Sequence, residues 1–220
     1  GGISGLTFCE TLLMGLAPDG GLLLPESIPN ISDRLDSWRC LSFVELAQEV
    51  ITIFADDIPK HDLDSIIKQA YSEFEHKDVV GLEKLGDIHV LELFHGPTLA
   101  FKDVALQLLG GLFDYVLSKN NQHLNILGAT SGDTGSAAIA GIRGRANMDI
   151  FIMYPDEKVS PLQELQMTTN LERNVHCIAM LTNCFCVPLV PIRWTTLPRL
   201  ARSSASKACL LYTSPSPRDS

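Results

Sequence analysis

From Ile88 onward the sequence alternates between two periodicities, and that alternation restricts the fold more than anything else in the chain. Short apolar runs near 88–94, 124–129, 149–154 and 175–179 read as strands. Between them, stretches near 101–118, 134–143 and 160–170 carry helical spacing. Strands that alternate with helices predict an α/β domain, a parallel sheet joined by helical crossovers. Residues 1–87 read differently, as mainly helical with short extended pieces. Ser42-Phe-Val-Glu45 has the pattern of a capping box opening a helix through about Phe54. Asp62 is the expected cap of a second helix, with Leu63, Ile66, Ile67, Ala70, Tyr71 and Phe74 on its apolar side. Both apolar stripes are read as packing surfaces.

The helix predicted near 101–118 contains one residue out of place. Its apolar positions include Val104, Ala105, Leu108, Leu109, Leu112, Phe113, Val116 and Leu117, and Asp103, Gln107, Gly110, Asp114 and Ser118 form an opposite, polar stripe. Lys102 falls in line with Ala105, Leu109, Phe113 and Val116, so it is expected to point into the apolar arc. There, desolvation and the positive end of the helix dipole both disfavour the ammonium, the condition for a nucleophilic amine or general base. The alternative is a lysine that lays its stem over apolar surface and keeps its charge in water.

Two loops flank this position. Thr130-Ser-Gly-Asp-Thr-Gly135 joins the strand 124–129 to the next helix and is rich in backbone donors and hydroxyls. A helix N-terminus of that kind accepts a carboxylate or phosphate, and it is equally a capped strand-to-helix turn. Upstream, His95 and Thr98 lie in the loop after the strand 88–94, whose path Pro97 fixes. His95 is read either as an acid or base or as a brace for the loop.

The runs His95-Gly-Pro-Thr-Leu-Ala-Phe-Lys-Asp-Val-Ala-Leu-Gln107 and Gly128-Ala-Thr-Ser-Gly-Asp-Thr-Gly-Ser-Ala-Ala138 closely resemble the threonine synthase family. Gly15-Leu-Ala-Pro-Asp-Gly-Gly-Leu22 and Gln163-Glu-Leu-Gln-Met-Thr-Thr169 extend the resemblance over about residues 1–180, and within the family it is nearest the animal threonine synthase-like members. The resemblance implies a pyridoxal 5'-phosphate enzyme of the tryptophan-synthase-like fold, fold type II, present here incompletely. It makes Lys102 the lysine that joins the cofactor and then moves protons on the substrate. Asp133 would lie near the cofactor's phenolic oxygen, and Ser131, Gly132, Thr134 and Gly135 would hold the substrate's anionic groups, with His95 and Thr98 in the surroundings. The substrate class implied is a small O-phosphorylated hydroxy amino acid such as O-phosphohomoserine or O-phosphothreonine. The favoured outcome is a phospho-lyase giving α-keto acid, ammonia and phosphate. The alternatives are threonine synthesis from O-phosphohomoserine, or a truncated product acting as a signalling or interaction protein. The family's glycine-rich cradle for the cofactor phosphate is not recognisable in this sequence. The chain expressed as written is therefore expected to bind the cofactor poorly and to be inactive.

The formal net charge of −9 argues against a general nucleic-acid or anionic-membrane partner. No uninterrupted apolar stretch has the length of a transmembrane helix. Cys9, Cys40, Cys177, Cys184, Cys186 and Cys209 show no disulfide-framework spacing, and no metal site is expected from them. A reducing, cytoplasmic compartment is the default, with a secreted truncated form as the alternative. The chain opens on glycine, so a preceding segment is expected. Residues 181–220 change character: they hold five basic residues against one acidic, and five of the twelve prolines. The expected organisation is an N-terminal region at 1–87, the first part of the cofactor domain at 88–180, and a non-family tail at 181–220. The tail is read as disordered or artefactual, its last run resembling translated sequencing adapter.

Overall fold

The computed structural model describes residues 2–130 and 132–180, together with the backbone of a strand at 207–212. The N-terminal half is helical: α1 (Phe8–Met14), a short turn leading into α2 (Leu35–Trp38), α3 (Phe43–Thr52) and α4 (Lys60–Tyr71). The capping box at the start of α3 is closed, Ser42 accepting from the Glu45 amide while Glu45 returns to the Ser42 amide. Thr7 and Glu10 close a second box on α1. The start of α4 differs from expectation. Pro59 occupies the cap position and Asp62 stands in the first turn, because proline's fixed φ already sets the helix entry. Asp62 instead accepts a hydrogen bond from Tyr115, at 3.0 Å.

The strand expected near 88–94 is β2 (Ile88–Glu92), and it does not join the parallel sheet. It pairs antiparallel with β1 (Gly81–Leu85) in a separate hairpin. Gly86-Asp87 is the two-residue connection, with Gly86 at φ 63°, which twists the two strands into register. The hairpin signal lay in the Gly-Asp pair between two alternating runs.

Beyond the hairpin come α5 (Asp103–Asn120), β3 (Leu124–Ala129), α6 (Asp133–Ile142), β4 (Met148–Pro155), α7 (Pro161–Thr168) and β5 (Val175–Met180). β3, β4 and β5 are parallel neighbours, as the alternation predicts. A fourth strand, β6 (Lys207–Tyr212), lies parallel on the other side of β3. That extended run supplies backbone partners along this edge of β3. The rest of the tail at 181–220, with Cys184 and Cys186, lies outside the described residues.

One core cluster joins the sheet to its helices, through Ile126, Ile150 and Ile152 against Phe113, Leu117, Ile139 and Met167. A second joins the N-terminal helices to α5, with Leu63, Ile67 and Tyr71 meeting Leu108 and Leu112. α5 thus belongs to both cores. Its expected polar stripe is a correction: Asp103, Gln107 and Gly110 are buried. Gln107 and Gly110 face α6, where a side chain at Gly110 would collide with the Gly141 backbone, so the two helices touch backbone to backbone. Gln107 completes the contact by donating to the Ala137 carbonyl at 3.2 Å. Among the described residues no helix is long and apolar enough to cross a membrane.

Candidate functional site

The carboxyl ends of parallel strands are where an open α/β sheet presents its loops to a ligand. Here the loop after β3 carries Thr130 to Asp133, and α7 follows the end of β4. Thr130 is buried, and its hydroxyl accepts from the amides of Gly132 and Gly135, both at 3.2 Å. These two donors, expected to be available to an anion, are therefore engaged inside the loop. A threonine hydroxyl at the strand end reaches the first turn of α6 more readily than an outside ligand does. Ser131 lies outside the described residues. Asp133 and Thr134 are half-buried in the first turn of α6.

The second loop runs from His95 to Phe101 and ends on Lys102. Asp103, the first residue of α5, is completely buried and organises it. Its carboxylate accepts from the Thr98 amide at 2.8 Å, from the Thr98 hydroxyl at 2.9 Å and from Gln107 Nε2 at 3.0 Å. The loop also holds Leu99 at φ 60°, a left-handed backbone that costs a non-glycine residue on the order of 1 kcal/mol. The bonds from Thr98 to Asp103 hold that turn in place immediately before Lys102.

Lys102 itself departs from expectation. It caps α5 and is half-buried, and Ala105, three residues on, is exposed. It is not enclosed by the apolar arc, because the first two turns of α5 bury Asp103, Gln107 and Gly110 instead. The Lys102 Nζ lies 4.8 Å from the centre of the exposed Phe101 ring, and among the described residues it forms no ion pair.

His95 takes the bracing alternative. Its Nε2 meets Glu92 Oε2 at 2.9 Å, its carbonyl accepts from the Glu75 amide at 3.0 Å, and its ring packs on His76. Thr98 likewise faces Asp103.

α7 joins the two loops. Gln163 Nε2 donates to Asp133 Oδ1, and Gln166 Nε2 donates to the Thr98 carbonyl at 3.4 Å. A small depression of about 80 Å³ opens beside this junction, lined by Pro97, Thr98, Ser136, Arg143, Gln166 and Asn170. Asp103, Gln163 and Gln166 were not among the expected site residues. Asp103 could have been found from its place five residues after Thr98 at a helix start, and the glutamines from their i, i+3 spacing behind a Ser-Pro cap.

Comparison with known proteins bears on the same segments. The family model described as the threonine synthase N terminus matches residues 1–71. Threonine synthase of Schizosaccharomyces pombe is 46% identical over 192 residues, covering 82% of this chain and 37% of that protein. Threonine synthase-like 2 of Xenopus laevis is 44% identical over 184 residues, covering 82% of this chain and 39% of that protein. The crystal structure of a PLP-bound threonine synthase from Brucella melitensis superposes with a TM-score of 0.79 at 46% identity, covering 83% of this chain and 40% of that one. The chain thus spans under two fifths of the length of the curated relatives it matches.

Proposed function

The chain belongs to the threonine synthase family and has its mixed α/β fold, and from that premise we propose that the protein it represents is a pyridoxal-phosphate enzyme acting on O-phosphorylated hydroxy amino acids. The observation that carries the reading is the junction at α7, which ties the loop ending on Lys102 to the loop holding Asp133. An amine on one of the tied segments and a carboxylate on the other suit a carbonyl cofactor. The fit is supported by Lys102, whose amine is tied to no carboxylate among the described residues and stands half-open to a ligand. When bound, the cofactor supplies an aldehyde for the lysine and a sink for the electrons released at the substrate's α-carbon.

The chain's own groups have separable roles. Lys102 would hold the cofactor, and its amine would take the α-proton and return a proton further along the side chain. Asp133, held by Gln163, would lie near the cofactor's phenolic oxygen, as the family resemblance implies. Thr134, in the first turn of α6, and Ser131, by the family resemblance, would receive the substrate's anionic groups, while Gly132 and Gly135 shape the loop through Thr130. Thr98 and His95 brace the loop that leads to Lys102, through Asp103 and Glu92 respectively.

Loss of phosphate is common to two outcomes. The reading favoured here is the phospho-lyase, in which the unsaturated product is released and hydrolysed to α-keto acid and ammonia. It rests on the resemblance to animal threonine synthase-like sequences. Threonine formation is the second reading, and it rests on the name carried by the fungal relative. Incubating the whole, cofactor-loaded protein with O-phosphothreonine and O-phosphohomoserine tests both. Phosphate with stoichiometric α-keto acid is the expected result. Phosphate with threonine transfers the assignment to the synthase, and no phosphate from either substrate overturns the proposal.

A further inference from the structure

Among the described residues, three helices start with a hydroxyl at the cap and an acid or amide three residues later. In α1 and α3 the box closes, Glu10 and Glu45 each reaching back to the cap residue's amide. α7 has the same pattern in Ser160 and Gln163, and the Ser160 hydroxyl accepts from the Gln163 amide at 3.3 Å. The return bond is not made. The Gln163 side chain gives up the local capping contact that its position offers and reaches Asp133, thirty residues away in sequence.

The direction of the carboxamide is set by the Asp133 carboxylate, which can only accept. Ser160 Oγ lies 3.0 Å from Gln163 Oε1 and donates to it, which leaves Nε2 facing the Asp133 carboxylate. Turning the amide over would set oxygen against oxygen at Asp133. The amide also covers the loop: a Cβ on Gly132 would lie 2.6 Å from Gln163 Oε1, and Gly132 has φ +147°. The loop is thus shaped to pass directly beneath this side chain. One turn further on, Gln166 donates to Thr98 in the loop that ends on Lys102.

We propose that Gln163 is a positioning residue, one half of a two-amide strut on α7 that sets where Asp133 stands relative to the loop delivering Lys102. The inference deepens the function proposed above and rests on it for its catalytic consequence. The strut itself is a property of the protein before any cofactor binds.

The test uses Gln163→Ala in the whole protein. In the cofactor-free state, amide exchange at residues 132–136 should rise about tenfold or more while exchange in β4 stays unchanged. In the loaded protein, the absorption band of the bound cofactor should shift, and its pH dependence with it. Turnover should fall about ten- to a hundredfold, the range expected when a reacting group is displaced by up to an ångström, with KM changed less than about threefold. Gln163→Ala placed in an Asp133→Asn background should add little further loss, since the bond is already weakened there. Wild-type exchange and a wild-type spectrum in Gln163→Ala, with only a lower melting temperature, would overturn the proposal and leave Gln163 a packing residue. Failure of the wild-type protein to attach cofactor at Lys102 would sink the proposed function instead. The cofactor-free exchange result would still decide the strut.

Discussion

Replacing Asp103 by alanine should loosen the loop that delivers Lys102 and cost a large share of the fold's stability. Asp103 has no solvent exposure, and three donors converge on it from Thr98 and Gln107. Each hydrogen bond to a charged group contributes about 1.5–3 kcal/mol, and donors left buried without a partner are penalised further. The contributions do not add fully: Gln107 keeps its bond to the Ala137 carbonyl, and water reaches part of Thr98. A net loss of about 3–5 kcal/mol follows. For a chain of this size each kcal/mol lowers the melting temperature by roughly 2–4 °C, so the midpoint should drop by about 6–20 °C. Asp103→Asn keeps the shape but turns an amide toward at least one donor, and it should fall between alanine and the wild type. Thermal unfolding measures the loss, and amide exchange at Thr98 locates it. A midpoint within about 2 °C of wild type in Asp103→Ala, with Thr98 still protected, would refute the reasoning.

Other consequences concern elements away from the site. Gly110→Val would drive a branched side chain into the Gly141 backbone, and chemical denaturation should show a loss of about 3 kcal/mol or more, or no folded protein. Asp57, between α3 and α4, ties α1 to them by accepting from the Cys9 amide at 2.9 Å. Burial opposes its ionisation, but hydrogen bonds from the Cys9 amide and thiol and from Thr7 outweigh it and hold its pKa below the usual carboxylate value. Its contribution is therefore present above the unfolded-state pKa and lost as pH falls through the lower folded value. The stability gap between wild type and Asp57→Asn should accordingly shrink in acid, and a gap that widens there would contradict this. Burial, followed by Asp57, pushes the Cys9 thiol up to about 12, whereas Cys40 is exposed. Maleimide at neutral pH should label Cys40 quickly and Cys9 only on unfolding, as mass spectrometry of timed digests would show.

Much of this architecture was legible because local signals and burial agree. β3 begins and ends where its apolar run does, and the Ser42–Glu45 box starts α3 where the pattern placed it. The misreadings came where tertiary contact overrides period. Asp103, Gln107 and Gly110 look like a solvated stripe, yet a second helix with a glycine of its own lies against them, and the polar atoms find partners inside. The same rotation of α5 leaves Lys102 half-open beside Phe101 where an apolar arc was expected. The periodicity of β2 reports a strand without reporting its partner, and only the Gly86-Asp87 turn holds that information. Of the site, the residue types were readable and their wiring was not. Nothing in the local sequence says that Thr130 would engage the glycine amides, or that the Gln163 side chain would reach Asp133.

The central claim is that Lys102 is the amine the cofactor finds. Incubation of the whole protein with pyridoxal phosphate, reduction with borohydride and peptide mapping test it directly. The account predicts a single stable phosphopyridoxyl adduct on Lys102, absent from Lys102→Ala. An adduct on another lysine, or none in a folded wild-type protein, would contradict it.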